Sequence, residues 1–372
     1  MAKDCPVHPV AAPDTGSATG GPRIAILESV ESLGIAIWKF PFFRALKRAY
    51  PGCHITHVVA RKTAFSGALA TLTPGYVDRV IEDAAIEKPA KIAHANLRAL
   101  DPADVVYDVR TKVARVIAAK MLMPHRQFVS MLPGWWLTSS VEKRRPRPVH
   151  WVGRLMAMIE VATGAPADWR GRIALPEAAQ RAAAALLPEG PRYIGLAPGA
   201  AGRDKVWPLD HFLALARALS AGGDTPVFLV GPNEADMVPK IAEALPDVPL
   251  IDGRQSPTEP AAGGPAFALA VAERFAAAVA NCTGVGHLMA NTGIPMVSLF
   301  GPTDPQRFLP WTQPIRHLRS QDFGGTEQMG AIPVEAVQAQ VMGVLDDAAR
   351  RSWAGPDPYS HGLQAPGRAA DS

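Results

Sequence analysis

Short apolar runs alternate with helical patterns along most of this chain. Residues 23–28, 54–59, 104–109 and 296–300 are rich in apolar and β-branched side chains and have the length of buried strands. Between such runs lie segments with apolar residues at helical spacing. Strands separated by helices predict parallel βαβ units, because two parallel neighbours need a crossover connection. The chain is therefore predicted to be an α/β protein.

Chain length and one break in the pattern predict two domains. With 372 residues the chain is long for a single core. Residues 164–190 hold Pro and Gly at both ends of an Ala-rich helical segment, after which the alternation restarts. We expect two doubly wound parallel-sheet domains facing across a cleft. The predicted parts are a disordered tail at 1–21, an N-terminal domain at 22–165, a linker at 166–190, a C-terminal domain at 191–350 and a loose tail at 351–372.

Composition excludes several classes of protein. Hydrophobic residues make up 48% and charged residues 19%, which is typical of a globular chain. No apolar run reaches the roughly 18 residues that span a bilayer, and residues 1–21 lack the apolar stretch of a secretory signal. Three distant cysteines (Cys5, Cys53 and Cys282) predict neither disulfides nor zinc, so we expect a cytoplasmic protein. A net charge of +4 is too small to predict nucleic-acid binding.

The first candidate binding segment follows the predicted strand 192–197. It begins Ala-Pro-Gly-Ala-Ala-Gly at residues 197–202 and continues to Lys205. Small residues at a strand-to-helix turn let a phosphate approach backbone amides, and a lysine adds a point charge. The spacing matches neither a P-loop nor a dinucleotide fingerprint, and an ordinary βα turn has the same composition. Within this segment, we expect Gly199, Ala200 and Ala201 to lie against the phosphate.

Two further turns of this kind occur later in the same half. At the first, Thr283 can cap a helix that begins at Gly284, whose unpaired amides favour an anion, and His287 follows one turn later. At the second, Gly-Pro punctuation in residues 300–305 ends an apolar strand. Because the carboxyl ends of parallel strands meet at one crevice, these turns together predict a phosphate-containing ligand.

The sequence around these turns resembles glycosyltransferase family 9, the lipopolysaccharide heptosyltransferases and their relatives. The similarity covers about residues 23–347 and is strongest in ANCTGVGHLMANTGIPMVSLFGPTDP at 280–305. It extends to IGLAPGAAGRDKVWPLDHF at 194–212 and to VFLVGPNEAD at 227–236. Residues 31–52 are similar to the family's first loop and helix, on the acceptor side.

The resemblance implies a GT-B fold and an inverting, metal-independent transferase without a cofactor. The implied donor is a nucleotide-diphosphate sugar such as ADP-heptose, and the implied acceptor is a lipopolysaccharide-type glycolipid at the inner face of the cytoplasmic membrane. Thr283, Gly284 and His287 resemble the family's pyrophosphate loop. Lys205 resembles its phosphate-neutralising lysine, and Glu234 the carboxylate that holds the ribose.

Two residues depart from the family's pattern. Ile35 stands after the glycine of the first loop, where the family has an acidic residue proposed as the acceptor base. Cys282 stands where an aspartate is usual. Glu31 or Glu28 is then the candidate replacement base. The alternative is a catalytically impaired relative that binds nucleotide sugars without turnover.

Three other features leave alternatives open. The basic residues at 143–145 and 147 fit either a solvated loop or contact with anionic lipid or a phosphorylated glycolipid. Trp135 and Trp136 fit packing, sugar stacking or a membrane interface. A Rossmann dehydrogenase is disfavoured, because no GxGxxG follows the strand at 23–28.

Overall fold

The structure of the chain is a computed structural model that describes residues 20–31, 33–88, 90–139, 146–200, 202–259 and 262–350. Its N-terminal part is a five-stranded parallel sheet in the order β3-β2-β1-β4-β5, with helices on both faces. The elements are β1 (Arg23–Glu28), α1 (Leu33–Ile37), α2 (Phe40–Ala49), β2 (His54–Val59), β3 (Arg79–Ile81), α3 (Ala90–Ala99), β4 (Ala103–Asp108), α4 (Val113–Leu122), β5 (His125–Ser130) and α5 (Trp151–Thr163).

The C-terminal part is a six-stranded parallel sheet in the order β11-β10-β9-β6-β7-β8. Its elements are α6 (Glu177–Leu186), β6 (Tyr193–Ala197), α7 (Leu209–Ala221), β7 (Thr225–Val230), α8 (Met237–Ala244), β8 (Leu250–Asp252), α9 (Gly264–Ala272), β9 (Phe275–Asn281), α10 (Gly284–Ala290), β10 (Met296–Phe300), α11 (Pro305–Phe308), β11 (Ile315–Arg319) and α12 (Val334–Ala349). In both sheets the strand order reverses beside the first strand, which is the doubly wound arrangement expected from the sequence.

Most predicted elements occur with small shifts at their ends. The helical spacing of residues 38–49 predicts one helix, which the structure has as α2, beginning at Phe40 and carrying Pro41 in its first turn, where a missing amide hydrogen costs little. The helix expected over 266–275 ends at Ala272, because Phe275 already begins β9. Strands β3 and β11 and helices α1, α3 and α11 were not predicted. The predicted tails fall outside the described residues, except for Gly20 and Gly21.

One apolar core joins the two sheets. It extends from the face of the first sheet covered by α2 and α5 to the face of the second covered by α6 and α9. Two smaller cores fill the opposite faces, one beneath α3 and α4 and one beneath α7 and α12. Among the described residues, no helix has both the length and the apolar character needed to cross a membrane.

Hydrogen bonds also connect the two halves across the cleft. The Asn291 side chain donates to the Ile37 carbonyl at 3.3 Å, and the Ile173 amide donates to the Asn291 carbonyl at 3.0 Å. His150 Nε2 lies 2.8 Å from the Leu309 carbonyl. Helix α1 therefore packs directly against α10, which brings the first loop of one half to the second candidate turn of the other.

Candidate functional site

The carboxyl edge of the second sheet is organised by the buried side chain of Asn281, the last residue of β9. Its Nδ2 donates to the Pro198 carbonyl at 2.8 Å and to the Gly199 carbonyl at 3.3 Å. Its Oδ1 accepts from the Trp207 amide at 3.1 Å. Since β6 and β9 are neighbouring strands, this amide fixes the first candidate segment beside the second.

Glu234 contacts the same segment from the loop after β7, the strand on the other side of β6. It belongs to a short 3-10 helix after β7, and its side chain lies against Gly199 and Gly231. A Cβ atom at Gly199 would come within 2.5 Å of Glu234 Oε1, so only glycine leaves room for the carboxylate. Burial raises the pKa of Glu234, although backbone hydrogen bonds oppose this change. The partly buried carboxylate is well placed to accept hydrogen bonds from a ligand.

Thr283 caps α10 as its sequence predicts. The Thr283 side chain accepts a hydrogen bond from the Gly286 amide at 3.3 Å, and Gly284 is exposed at the first position of the helix. A Cβ atom at Gly286 would lie 3.3 Å from the Asn281 carbonyl, which shows how closely this turn packs on the strand end. The exposed backbone at Gly284 leaves the turn open to a ligand.

Cys282 faces the third candidate turn and the lysine of the first. Burial raises the pKa of the Cys282 thiol, while the neighbouring Thr303 and the charge of Lys205 act in the opposite direction. The thiol therefore remains neutral at physiological pH. Lys205 is half-buried at the end of a 3-10 helix, Arg203–Lys205, so its ammonium lies near this edge of the sheet. All three candidate turns thus meet at one place.

His287 is turned toward the other half of the molecule. Its ring packs edge-on against Trp38, with 4.8 Å between ring centroids, and Trp38 lies between α1 and α2. Burial lowers the pKa of His287 to about 3, with a smaller contribution from His150. The neutral imidazole can exchange hydrogen bonds with a ligand but contributes no charge.

The carboxyl edge of the first sheet contains a buried ionic cluster. Lys39 Nζ lies 2.7 Å from Glu28 Oε2 and also donates to Glu31 Oε1. Thr63 donates to the second oxygen of Glu31, and His57 Nε2 lies 3.4 Å from the first. Burial alone would raise the pKa of Glu31, but Lys39 and His57 together hold it well below its usual value.

The two candidate bases differ in what surrounds their oxygens. Both Glu31 oxygens are engaged inside the cluster and its side chain is fully buried, whereas the Glu28 side chain is 8% exposed. Glu28 Oε1 accepts from the Ser29 amide at 2.8 Å. On the next strand, Asp108 forms a buried two-bond ion pair with Arg110 at 2.8 and 2.6 Å.

The predicted site residues therefore divide into two groups. Gathered at the carboxyl edge of the second sheet are Gly199, Ala200, Lys205, Glu234, Thr283 and Gly284. His287 lies beneath Trp38, and Glu31 lies within the ionic cluster of the first sheet. Ala201 and the basic residues 143–145 fall outside the described residues. In the ranges that the structure describes, no three His, Cys, Asp or Glu side chains are arranged to hold a metal ion.

Three residues of the site were missed from sequence alone. Lys39 stands in an apolar run, WKFPFF, where a lysine needs a buried partner, and that was a usable signal. Asn281 ends an Ala-rich strand, where a side-chain amide can hold neighbouring loops. Trp38 gives no such signal, because its contact with His287 depends on how the halves pack.

Comparison with known structures identifies the fold. The chain is similar to a glycosyltransferase family 9 protein from Veillonella parvula DSM 2008, with a TM-score of 0.65, 19% identity and coverage of 88% of this chain and 98% of that one. It is also similar to E. coli heptosyltransferase WaaC with ADP, with a TM-score of 0.62, 19% identity and coverage of 87% of this chain and 99% of that one. For E. coli ADP-heptose lps heptosyltransferase II the TM-score is 0.60 and the identity 18%, with coverage of 87% of this chain and 99% of that one. The two facing parallel-sheet domains are those of a GT-B glycosyltransferase.

Residues 104–331, more than half of the chain, match the family model described as glycosyltransferase family 9 (heptosyltransferase). The chain belongs to this family and is a glycosyltransferase of the heptosyltransferase type. A comparison with curated protein sequences gives no match.

Proposed function

We propose that this chain transfers a heptose-like sugar from a nucleotide-diphosphate donor to a hydroxyl of a lipopolysaccharide-type or other cell-envelope glycan. The observation that carries the proposal is the Asn281 bridge. By joining the loops after β6 and β9, it holds the segment of Lys205 beside Thr283, and Glu234, after β7, lies against Gly199 of the same segment. A cation, a carboxylate and open backbone at one edge match the phosphates and ribose of such a donor.

In this proposal each group of the edge has a part in donor binding. The Lys205 ammonium and the backbone at Thr283 and Gly284 bind the diphosphate, with Gly199 and Ala200 lining it. Glu234 accepts hydrogen bonds from the ribose, and neutral His287 stabilises the turn from below. The related E. coli WaaC was solved with ADP and with ADP-2-deoxy-2-fluoro heptose, which supports an ADP-linked donor here.

The chemistry that we propose needs charge stabilisation at the leaving group. Breaking the sugar–phosphate bond builds positive charge on the sugar carbon and negative charge on the departing diphosphate. Donors already fixed toward that diphosphate lower the barrier, and a single well-placed group contributes about 3 kcal/mol. Lys205 and the Thr283 turn can supply this without a metal ion, and attack from the opposite face inverts the sugar carbon.

Two carboxylates are candidates for the base that deprotonates the acceptor. Ile35 cannot accept a proton, so the candidates remain Glu31 and Glu28. The lowered pKa of Glu31 makes it a weak base, and Glu28 is the more accessible of the two. We propose a cytoplasmic enzyme that meets its glycolipid at the inner membrane face.

A second candidate function is donor binding without turnover. It is favoured by one specific observation: the charged groups of the first sheet are paired with one another, and Ile35 occupies the usual position of the base. In that case the chain would retain its nucleotide-sugar site as a binding protein.

Release of nucleoside diphosphate distinguishes the two functions. The pure protein is incubated with ADP-, UDP-, GDP- and dTDP-linked sugars and extracted glycolipid, and sugar incorporation is measured in parallel. Transfer from one donor supports the enzyme, whereas donor binding by calorimetry with neither transfer nor release supports the binding protein. Loss of a general base lowers rates by about 10²- to 10⁴-fold, so Glu28→Gln and Glu31→Gln show which carboxylate acts.

A further inference from the structure

Exposed apolar side chains are unevenly distributed over the molecule. Of the ten large apolar residues that are exposed in the described part of the chain, only Leu186 and Met342 lie in the C-terminal half. The other eight are Val30, Leu33, Ile92, Val113, Ile117, Met121, Trp136 and Val149. Half of these lie on α3 and α4, two neighbouring helices on one face of the first sheet.

Helix α4 carries three of them in a row. Val113, Ile117 and Met121 follow one another at intervals of four residues, which places them along one side of the helix. Met121 is 76% exposed, while Val116 and Ala119 bury the opposite side against the sheet. We call Val113, Ile117 and Met121 the apolar stripe. A continuous apolar surface of this kind is typical of a contact site.

The charged side chains on α3 and α4 are all of one sign. Neither α3 nor α4 contains an aspartate or glutamate, whereas they contain four basic residues, Lys91, Arg98, Arg115 and Lys120. On α3, Ile92 is exposed next to the exposed Lys91. Two adjacent helices that carry basic and apolar side chains, and no acidic ones, are suited to bind a layer whose surface is anionic and whose interior is apolar.

Trp136 lies on a loop that is tied to the same helix. Lys120 Nζ, on α4, donates to the Leu137 carbonyl at 2.7 Å, which holds the exposed Trp136 near the apolar stripe. Tryptophan is enriched where protein meets lipid headgroups, because its ring is apolar and its indole N–H is polar.

We propose that the α3–α4 face, with Trp136, docks on the surface of a bilayer that contains anionic phospholipid. The apolar stripe enters the headgroup boundary, and the exposed Lys91 and Arg98 pair with lipid phosphates. Since α4 begins just after the carboxyl end of β4, docking also brings the acceptor-side edge of the first sheet near the lipid. That last consequence rests on the proposed function, whereas the docking itself rests on the surface alone.

Vesicle co-sedimentation tests this docking directly. The full chain is mixed with vesicles of phosphatidylcholine alone, or of equal parts phosphatidylcholine and phosphatidylglycerol. We expect binding to the mixed vesicles that is at least about tenfold tighter, because each basic residue near an anionic surface contributes about 1 kcal/mol. Raising the salt concentration should release the protein.

Matched variants connect the binding to the stripe. Ile117→Glu should weaken binding to the mixed vesicles by about tenfold or more, since a charge replaces buried apolar area. Met342→Glu, on α12, is the control: Met342 is 40% exposed and Ile117 38%, so both substitutions add one acid to a similarly exposed site. The control should bind like the unaltered chain.

Three outcomes overturn the proposal. They are no binding to the mixed vesicles, equal weakening by both variants, and self-association that Ile117→Glu abolishes in the absence of lipid, which would assign the stripe to a second copy of the chain. Calorimetry with ADP on the same preparations separates docking from catalysis. ADP binding retained by Ile117→Glu excludes misfolding, and ADP binding absent from the unaltered chain counts against the proposed function alone.

Discussion

Both sheets are parallel and carry loops at the carboxyl ends of their strands. The charged side chains are paired with one another at the first of these edges but not at the second. At the edge of the first sheet, Glu28 and Glu31 share Lys39, and on the next strand Asp108 is held by Arg110. At the edge of the second, the connecting group is the uncharged amide of Asn281. Lys205 and Glu234 there remain only partly buried.

This difference indicates where a charged ligand can bind. Charged side chains that are paired with one another inside the protein stabilise a loop, but they are not available to bind a charged substrate. An edge held together by a neutral amide leaves its cation and carboxylate available. The second sheet is therefore the better candidate for a diphosphate, and the first half contributes Trp38 and α1, which pack against α10 of the second.

The largest effect is expected from removing the shared cation of the first edge. Lys39→Met leaves Glu28 and Glu31 buried without their partner, and breaking a buried ion pair in this way costs about 3 to 5 kcal/mol. Urea unfolding measures the loss, and Lys47→Met, which removes a lysine paired with Asp78 at the surface, is the control. A loss below about 1 kcal/mol would show that the cluster is not structural.

Removing the amide of the second edge should have a smaller effect on stability but a direct one on binding. Asn281→Ala leaves the Pro198 carbonyl and the Trp207 amide without a partner, at a cost of about 2 to 3 kcal/mol. ADP binding should fall with it. In Asn96→Ala, which removes one bond to the Ala84 carbonyl at 2.8 Å in the first half, ADP binding should be unchanged. Equal ADP affinity in both variants would contradict the claim that Asn281 holds the nucleotide-binding edge of the second sheet.

Lys205→Ala tests the cation of the second edge without disturbing the fold. Loss of a charge-assisted hydrogen bond should weaken ADP binding by about ten- to hundredfold, as measured by calorimetry. Arg203→Ala removes an exposed cation from the same 3-10 helix and should change the affinity little. If the two variants lose the same affinity, general electrostatic attraction rather than a contact with Lys205 explains the binding.

The smallest effect expected is a difference in how stability depends on pH. Because the pKa of Glu31 is lower in the folded chain, its contribution is complete above the unfolded value of about 4.3 and is lost as the pH falls below it. Below about pH 5 the unaltered chain should lose stability faster than Glu31→Gln, by up to about 1.4 kcal/mol per pH unit. Parallel curves from urea unfolding at each pH would contradict the ionic cluster.

How much of the fold was predictable depended on burial. The strands β1, β2 and β10 have the predicted bounds, because each is an apolar run with a turn signal at its end. The edge strands β3 and β11 escaped prediction, since they are short or carry polar residues such as His317 on their open side. Pairing with one neighbour is enough to make them strands.

The parts of the candidate site that are formed by consecutive residues could be located from the sequence. The parts that bring together residues from distant positions could not. Turns at strand ends are formed by consecutive residues, so the position of Lys205, Thr283 and Gly284 after β6 and β9 was predictable, while their role in binding stays a prediction. The ionic cluster joins Glu31 to Lys39, His57 and Thr63 across loops of the first half, and no local pattern encodes that. The contact between His287 and Trp38 likewise depends on how the two halves pack, which no local pattern encodes.

A crystal structure of the chain with ADP tests the central claim most directly. We expect the terminal phosphate within hydrogen-bond distance of Lys205 Nζ and of the backbone at Thr283 or Gly284, with the ribose beside Glu234. A nucleotide bound on the first sheet, or phosphates turned away from the loop that Asn281 holds, would contradict the account.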